Sequence, residues 1–175
     1  KEFADFRNNV IYNWGGNNVY GGEDGNYNII NNYYKYGPST NKNVRYRIVN
    51  PSKNETLPFG KWFVDGNVVN EAPDVSKNNW LGIDMGNGGT EADNKSAVMD
   101  KAFPTEALYT QDAEVAYTAV LEKAGASYKR DTLDLRIIND VKNRTGRLID
   151  VQGGLPHGTA FEQTLQAWPT LVALP

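Results

Sequence analysis

The chain has 175 residues, a formal net charge of −3, no Cys and one His. That length suits one domain, or one with a small appendage. The acidic balance leaves no basic footprint for nucleic acid, the lack of Cys excludes disulfides, zinc sites and thiol catalysis, and no apolar run is long enough to span a bilayer. Neither nucleic acid nor a membrane is therefore an expected partner. Abundant Asn, 17 Gly, ten Tyr and four Trp describe a turn-rich β protein with aromatics to spare. The chain opens at Lys1, five residues before a strand core, which leads us to expect a truncated or processed product.

Residues 3–13 read as a strand with a corner at Asn9. Trp14-Gly15-Gly16-Asn17-Asn18 is a turn cluster, Val19-Tyr20-Gly21 a short strand, and Gly22 to Asn26 a second turn. Residues 29–35 repeat the opening corner around Asn32, and residues 63–70 repeat it again around Asn67. Each copy has an apolar residue three before the Asn, an Asn or Gly just before it, and a β-former two after it. The spacings are 23 and 35 residues, a short core with elastic loops between copies. Asn is unfavourable inside a strand but at home in a turn, where it tolerates the left-handed region and bonds to backbone. Stacked strand–corner–strand units describe the coils of a parallel β-solenoid, with internal Asn side chains paired along the axis. A Gly/Asn-rich β-sandwich with chance repetition is the alternative.

Between the second and third copies, Gly37 to Asn41 reads as a loop. Val44-Arg45-Tyr46-Arg47-Ile48-Val49 alternates basic with apolar or aromatic residues, the period of a strand that puts Arg45 and Arg47 on one face. Asn50-Pro51 ends it. Residues 76–106 carry little periodicity. Asp84 to Glu91 looks superficially like a calcium loop, but its third position is Gly and no Glu closes it at the required spacing, so it is read as a plain loop.

After residue 110 the period changes to that of a helix. Ala113, Ala116, Tyr117, Val120, Leu121 and Ala124 share one helical face, with Asp112 as N-cap and Gly125 as stop. Leu133, Ile137, Ile138 and Val141 mark a second helix, capped by Asp131 or Thr132 and ended at Gly146. A short strand is expected at Leu148–Val151, followed by Gly/Pro-rich chain. We divide the chain into β-coils and loops over 1–106 and a helical C-terminal cap and tail over 107–175. The helices are expected to cover the open end of the solenoid, where core and strand edges would otherwise meet water.

Several motifs in order, Phe6 to Gly15, Tyr20-Gly21-Gly22-Glu23, Tyr27 to Tyr34, and Arg45 to Pro51, resemble bacterial pectate lyases of polysaccharide lyase family one. The stretches Asp131 to Asp134, Thr145 to Asp150 and Gly153-Gly154 resemble the C-terminal end of those enzymes. The resemblance implies an all-β fold, a right-handed parallel β-helix of which this chain forms the last coils. It implies a secreted, periplasmic or cell-surface bacterial enzyme that cleaves polygalacturonate by calcium-assisted β-elimination. It also implies that the catalytic Arg, in a Ser-Arg-Asn-Pro-Arg-like stretch, and the calcium-binding Asp residues lie upstream of residue 1. No catalytic or metal-binding residue is carried onto this chain. The chain is expected to be inactive alone, and to complete one end of the substrate groove beside the missing N-terminal half.

For an acidic polysaccharide the candidate binding residues are Arg45 and Arg47, whose guanidinium groups can grip a uronate carboxylate through two bonds, with Tyr46 and Lys35 beside them. Exposed arginines paired with Asp or Glu are the plain alternative. Glu23 and Asp24 are read as a solvated turn rather than calcium ligands, and the lone His157 has no neighbour to suggest catalysis. Asn54-Glu55-Thr56, Asn94-Lys95-Ser96 and Asn143-Arg144-Thr145 fit the glycosylation pattern, matches that an Asn-rich chain produces by chance. Two other functions compete with the lyase: a non-catalytic β-helix that binds acidic polysaccharide or serves as structure, and a β-helical hydrolase of the same polymer. The hydrolase would need paired carboxylates, and the Asp and Glu residues are scattered over turns and helices.

Overall fold

A computed structural model of the chain describes residues 1–86 and 89–146. Eight short strands form three parallel sheets. In chain order they are β1 (Phe3–Arg7), β2 (Val10–Tyr12), β3 (Val19–Gly21), β4 (Asn26–Ile30), β5 (Tyr33–Lys35), β6 (Val49–Pro51), β7 (Lys61–Asp65) and β8 (Val68–Val69). The sheets are β1-β4-β7, β2-β5-β8 and β3-β6. The chain therefore visits the same sheets in the same order on each pass, an arrangement consistent with a parallel β-helix.

The register shows why the repeat produces this. Ala4 aligns with Tyr27 and Trp62, and Phe6 aligns with Ile29 and Val64. These rows point inward: Tyr27, Ile29 and Trp62 are buried, and Ala4, Phe6 and Val64 pack against them. The Tyr27 and Trp62 rings stack at 4.1 Å between centroids. In the second sheet Ile11, Tyr34 and Val69 make the corresponding row, and Trp14 meets Tyr34 edge-on. Burying a side chain such as Trp62 or Ile29 contributes about 2–3 kcal/mol. The alternation of inward and outward residues follows from the period of a strand.

The corners are built from two residues with different tasks. Asn8, Asn31 and Gly66 each turn the chain in the left-handed region, with φ of 56°, 52° and 67°. That region favours Gly and tolerates Asn. At Gly66 a Cβ would come within 1.7 Å of the Asn31 Oδ1, so the third copy needs Gly. The next residue in each copy, Asn9, Asn32 or Asn67, points inward and forms the ladder. Asn32 Oδ1 accepts from Asn9 N–H and Nδ2, both at 3.0 Å. Asn67 Oδ1 accepts from Asn32 N–H and Nδ2, both at 2.9 Å. Asn79 Oδ1 accepts in the same way from Asn67, at 2.8 and 2.9 Å.

Asn79 is a fourth rung, only 12 residues after the third. It sits in a 3-10 turn over Asn79–Gly82 that follows α1 (Pro73–Lys77). The segment 76–106, without clear period in sequence, also holds α2 (Glu91–Ala97), opened by a reciprocal Thr90–Asp93 capping box. With α3 (Ala113–Lys123) and α4 (Thr132–Asn143), these helices mean that the chain is not all-β as expected.

The expected helix starts hold at Asp112 and Asp131, the latter with a full capping box. Their placement differs from the expectation. Met99 N–H bonds to Trp62 O on the third coil, Asn28 on the second coil exchanges bonds with Phe103, and Gln111 N–H bonds to Asn8 on the first. The chain thus runs back along the outside of the first sheet. Beyond it, α3 packs on β2 and β5, and Arg144 after α4 reaches Glu71 and Asn70 on the third coil. The helices strap the flank of the coils, while α1 and the Asn79 turn lie over the third. Of the expected α4 face only Val141 is buried, and Leu133 and Ile137 are about half exposed. The expected strand at 148–151 and His157 lie outside the described residues. Among the described residues, no helix is long and apolar enough to cross a membrane.

The ladder makes a direct prediction. Asn67 is fully buried and its loss would strand the Asn32 donors and the Ile29 carbonyl. Asn67→Ala should cost about 3 kcal/mol in urea unfolding, and Asn9→Ala, at the end of the ladder, clearly less. Equal costs at the two positions would show that the ladder does not act as an ordered stack.

Candidate functional site

The loop from β5 to β6 carries the candidate cations. Its first half is fixed from below: Gly37 N–H donates to Thr40 Oγ1, Ser39 N–H to Asn13 Oδ1 and Trp14 Nε1 to Val44 O. Val44 and Ile48 are both buried. A strand would bury Tyr46 on the same face as these anchors, but Tyr46 is 42% exposed, so the chain reaches from Val44 to Ile48 by a helical turn. Residues Lys42–Val44 accordingly form a 3-10 turn, Arg45 lies in the helical region at φ −58° and ψ −31°, and Arg47 N–H bonds to Val44 O. The expected strand over 44–49 is thus corrected: β6 begins only at Val49 and includes Asn50 and Pro51. That turn breaks the alternation, and Arg45 and Arg47 do not share a strand face.

Their environments differ accordingly. Arg47 Nη1 pairs with Asp84 at 2.9 Å, and its Nη2 donates to Gly16 O at 2.7 Å and to Asn17 Oδ1. The Arg47 hydrogen bond, helped by the Gly86 N–H, holds the Asp84 carboxyl below its ordinary value. Arg45 stacks instead on Tyr36, with Cζ 4.7 Å from the ring centroid. Its guanidinium makes no hydrogen bond or ion pair to a described residue, and its Nε is buried without a partner. Tyr46 lies edge-on to Tyr36 at 6.1 Å and is 42% exposed. Lys42, which the sequence reading did not single out, is exposed beside them. Together Lys42, Arg45, Tyr46, Arg47, Leu81 and Asp84 line an open depression of about 290 Å³.

Lys35 stands apart from this group. Its Nζ donates to Lys142 O at 2.9 Å and to the Tyr117 hydroxyl at 3.4 Å, beneath the helical strap. Burial, and then the nearby Arg144 charge, lower its pKa. Tyr36, the neighbour of Lys35 in sequence, links the depression to the strap: its hydroxyl donates to Glu71 at 2.6 Å, and Arg144 lies over its ring at 4.2 Å. A Tyr at the end of a strand carries no mark of that role.

The described carboxylates do not fit a calcium site. Glu23 accepts from Ser52 at 2.6 Å, Asp24 pairs with Lys1 at 2.8 Å, and Asp84 is held by Arg47. Among the described residues no three His, Cys, Asp or Glu side chains converge as a metal would need.

Parallel strands in register and an inward Asn ladder are consistent with a parallel β-helix, and a loop between two coils carries a cationic, aromatic depression. The chain is 34% identical over 94% of its length to a protein named "Probable pectate lyase C" from Aspergillus flavus, and covers 39% of it. It is 33% identical over 82% of its length to the protein of that name from Neosartorya fischeri, covering 32% of it. The Aspergillus oryzae protein of the same name is 34% identical over 94% of the chain, which covers 39% of it. The chain is therefore a relative of proteins named as pectate lyases and spans about two-fifths or less of their length. No family model matches it. The relatives reported are fungal, so the bacterial source expected from the motifs has no support in them.

Arg47 and Arg45 should respond differently to truncation. Arg47→Ala removes charge-assisted bonds across a partly exposed site and should cost about 1 kcal/mol of stability. Arg45→Ala should leave the unfolding midpoint near that of the parent. Because the Asp84 pKa is depressed, its contribution is present at neutral pH and is lost as pH falls below the ordinary 3.8. The difference between parent and Arg47→Ala should therefore shrink in acid denaturation. A constant difference from pH 7 to pH 2 would exclude the pair as its source.

Proposed function

We propose that the chain is the part of a pectate-lyase-related enzyme that builds the later coils of a right-handed parallel β-helix and one end of the groove for an acidic polysaccharide. The observation that carries this reading is the similarity over 94% of the chain to a protein named pectate lyase C. The parallel register supports it, and the right hand follows the general preference of parallel crossovers. Within the reading, residues 1–106 form coils and loops, the helices described between 107 and 146 pack on them, and the protein is secreted.

The reaction is elimination from polygalacturonate. A base removes the proton α to the uronate carboxylate, the electron pair forms the new C–C double bond, and the C4–O bond breaks to release the preceding sugar, whose leaving oxygen takes up a proton. The cation that neutralises the carboxylate is calcium in this reading. Within this reading its ligands and the catalytic Arg are supplied by sequence outside this chain, as the family resemblance implies. No step through the cation is assigned to residues of this chain, whose task is to bind and orient the polymer. Its own candidates are Arg45, Arg47 and Tyr46. Lys35, held under the strap, supports the helices instead.

The test is incubation of the 175-residue chain with polygalacturonate, with calcium and then with chelator, following ultraviolet absorbance of the unsaturated product. We expect no product from this chain alone, and product when the remaining part of such a lyase is supplied. Calcium-dependent product from the chain by itself would overturn the division of labour. Binding without product, both from the chain alone and with the remaining part supplied, would make the chain a non-catalytic polysaccharide binder.

A further inference from the structure

The structure separates the candidate cations into one that is used internally and one that is not. Arg47 is consumed by Asp84, Gly16 and Asn17. Arg45 is held in place but unspent: a ring supports one side of it, Nε is buried, and no described group takes its hydrogen bonds. We propose that the depression beside the 42–48 turn is a carboxylate-binding subsite for a single uronate residue, with Arg45 as the contacting cation. This rests on the polysaccharide reading above.

Four observations support a site over a chance surface. The support of Arg45 is itself fixed, since Tyr36 donates to Glu71 and lies under Arg144. A guanidinium held this way loses less freedom on gripping a carboxylate than a mobile one. Lys42 adds a second cation on the preceding turn without an ion pair to a described residue. The 42%-exposed Tyr46 offers an aromatic surface and the 62%-exposed Leu81 an apolar one, which suit the C–H groups of a sugar ring. Finally, the depression of about 290 Å³ is polar and open at the surface, a size for one sugar of a longer chain rather than for an enclosed ligand.

The carboxylates in range divide the ligand from the fold. Asp84 is engaged with Arg47, and Glu71 is engaged with Tyr36 and Arg144, although Glu71 also lies within the field of Arg45. Neither bonds to the Arg45 guanidinium. Arg47 is therefore a positioning residue, which sets the turn that presents Arg45, and Arg45 is the residue that meets the ligand. A net charge of −3 disfavours a long polyanion wrapped over the whole surface and favours recognition at one local site.

The experiment is titration calorimetry of the 175-residue chain with trigalacturonate and with the trisaccharide whose carboxylates are reduced to alcohols. We expect binding of the acidic sugar only, with Arg45→Ala weakening it about tenfold or more. Arg45→Lys keeps the charge but loses the fork, and should restore less than half of the lost affinity. Lys42→Ala should weaken binding about twofold and flatten its salt dependence, and Lys95→Ala, on the exposed face of α2, should do nothing. Equal binding by Arg45→Ala and the parent, equal binding of the reduced sugar, or displacement by equimolar sulfate would each overturn the subsite. Parent-like binding by Arg45→Lys would overturn the forked contact. Absence of unsaturated product when the remaining part of such a lyase is supplied, with this binding intact, would reject the lyase reading and leave the subsite standing. Product formation by a complemented chain in which Arg45→Ala changes no affinity would do the reverse.

Discussion

The inward Asn ladder is the constraint on which the rest of the molecule depends. Parallel coils cannot be closed by tight hairpins, so each coil must turn its backbone inside a packed interior, where unpaired N–H and C=O groups are costly. Asn32 and Asn67 meet that cost from their own side chains. Each amide accepts two bonds from the coil on one side and donates to backbone carbonyls as well. With the corners fixed, the strands between them fall into register, and the aromatic and aliphatic rows align without further instruction.

The outside of the coils is organised by a second, weaker set of the same residue. Asn8 and Asn31 both donate to Gln111 O, and Asn28 bonds to Phe103 in both directions. The returning segment is tied to the scaffold by polar contacts, whereas the coils are joined by buried rings and aliphatic chains. The strap that follows depends on Tyr33 against Tyr117 and on Arg144, which at φ 57° ends α4 in a left-handed turn and reaches the third coil. Tyr36 touches both this strap and Arg45, so the orientation of Arg45 depends on helices far along the chain.

What could be read in the sequence was what repeats or obeys local capping. Asn9, Asn32 and Asn67 declared the coils, and Asp112, Gly125 and Asp131 declared two helices. What could not be read was decided by contacts distant in sequence. Asn79 lacks the apolar residue three positions earlier, because it closes a turn against α1 rather than a strand. The Thr90–Asp93 capping box was written in the chain, yet no apolar period followed it to draw attention. Arg45 and Arg47 looked equivalent by alternation, and only the turn over Lys42–Val44 and the partners each one meets separated them. Lys35 looked like a ligand-facing cation because nothing local indicates that α3 and α4 return to cover it.

The ladder also has a direction. Each bond from one rung to the Oδ1 of the next is donated by the earlier residue and accepted by the later one, so the rung-to-rung bonds run one way along the axis. At Asn79 the ladder is terminated, because its Nδ2 turns onto Asn67 O, Val75 O and Ser76 O. At Asn9 no described residue donates to Oδ1. A coil added beside β1 would therefore break no bond that exists, while one inserted after Asn79 would have to dismantle its termination. Lengthening such a solenoid is thermodynamically asymmetric, and the asymmetry resides in the amide of a single residue type.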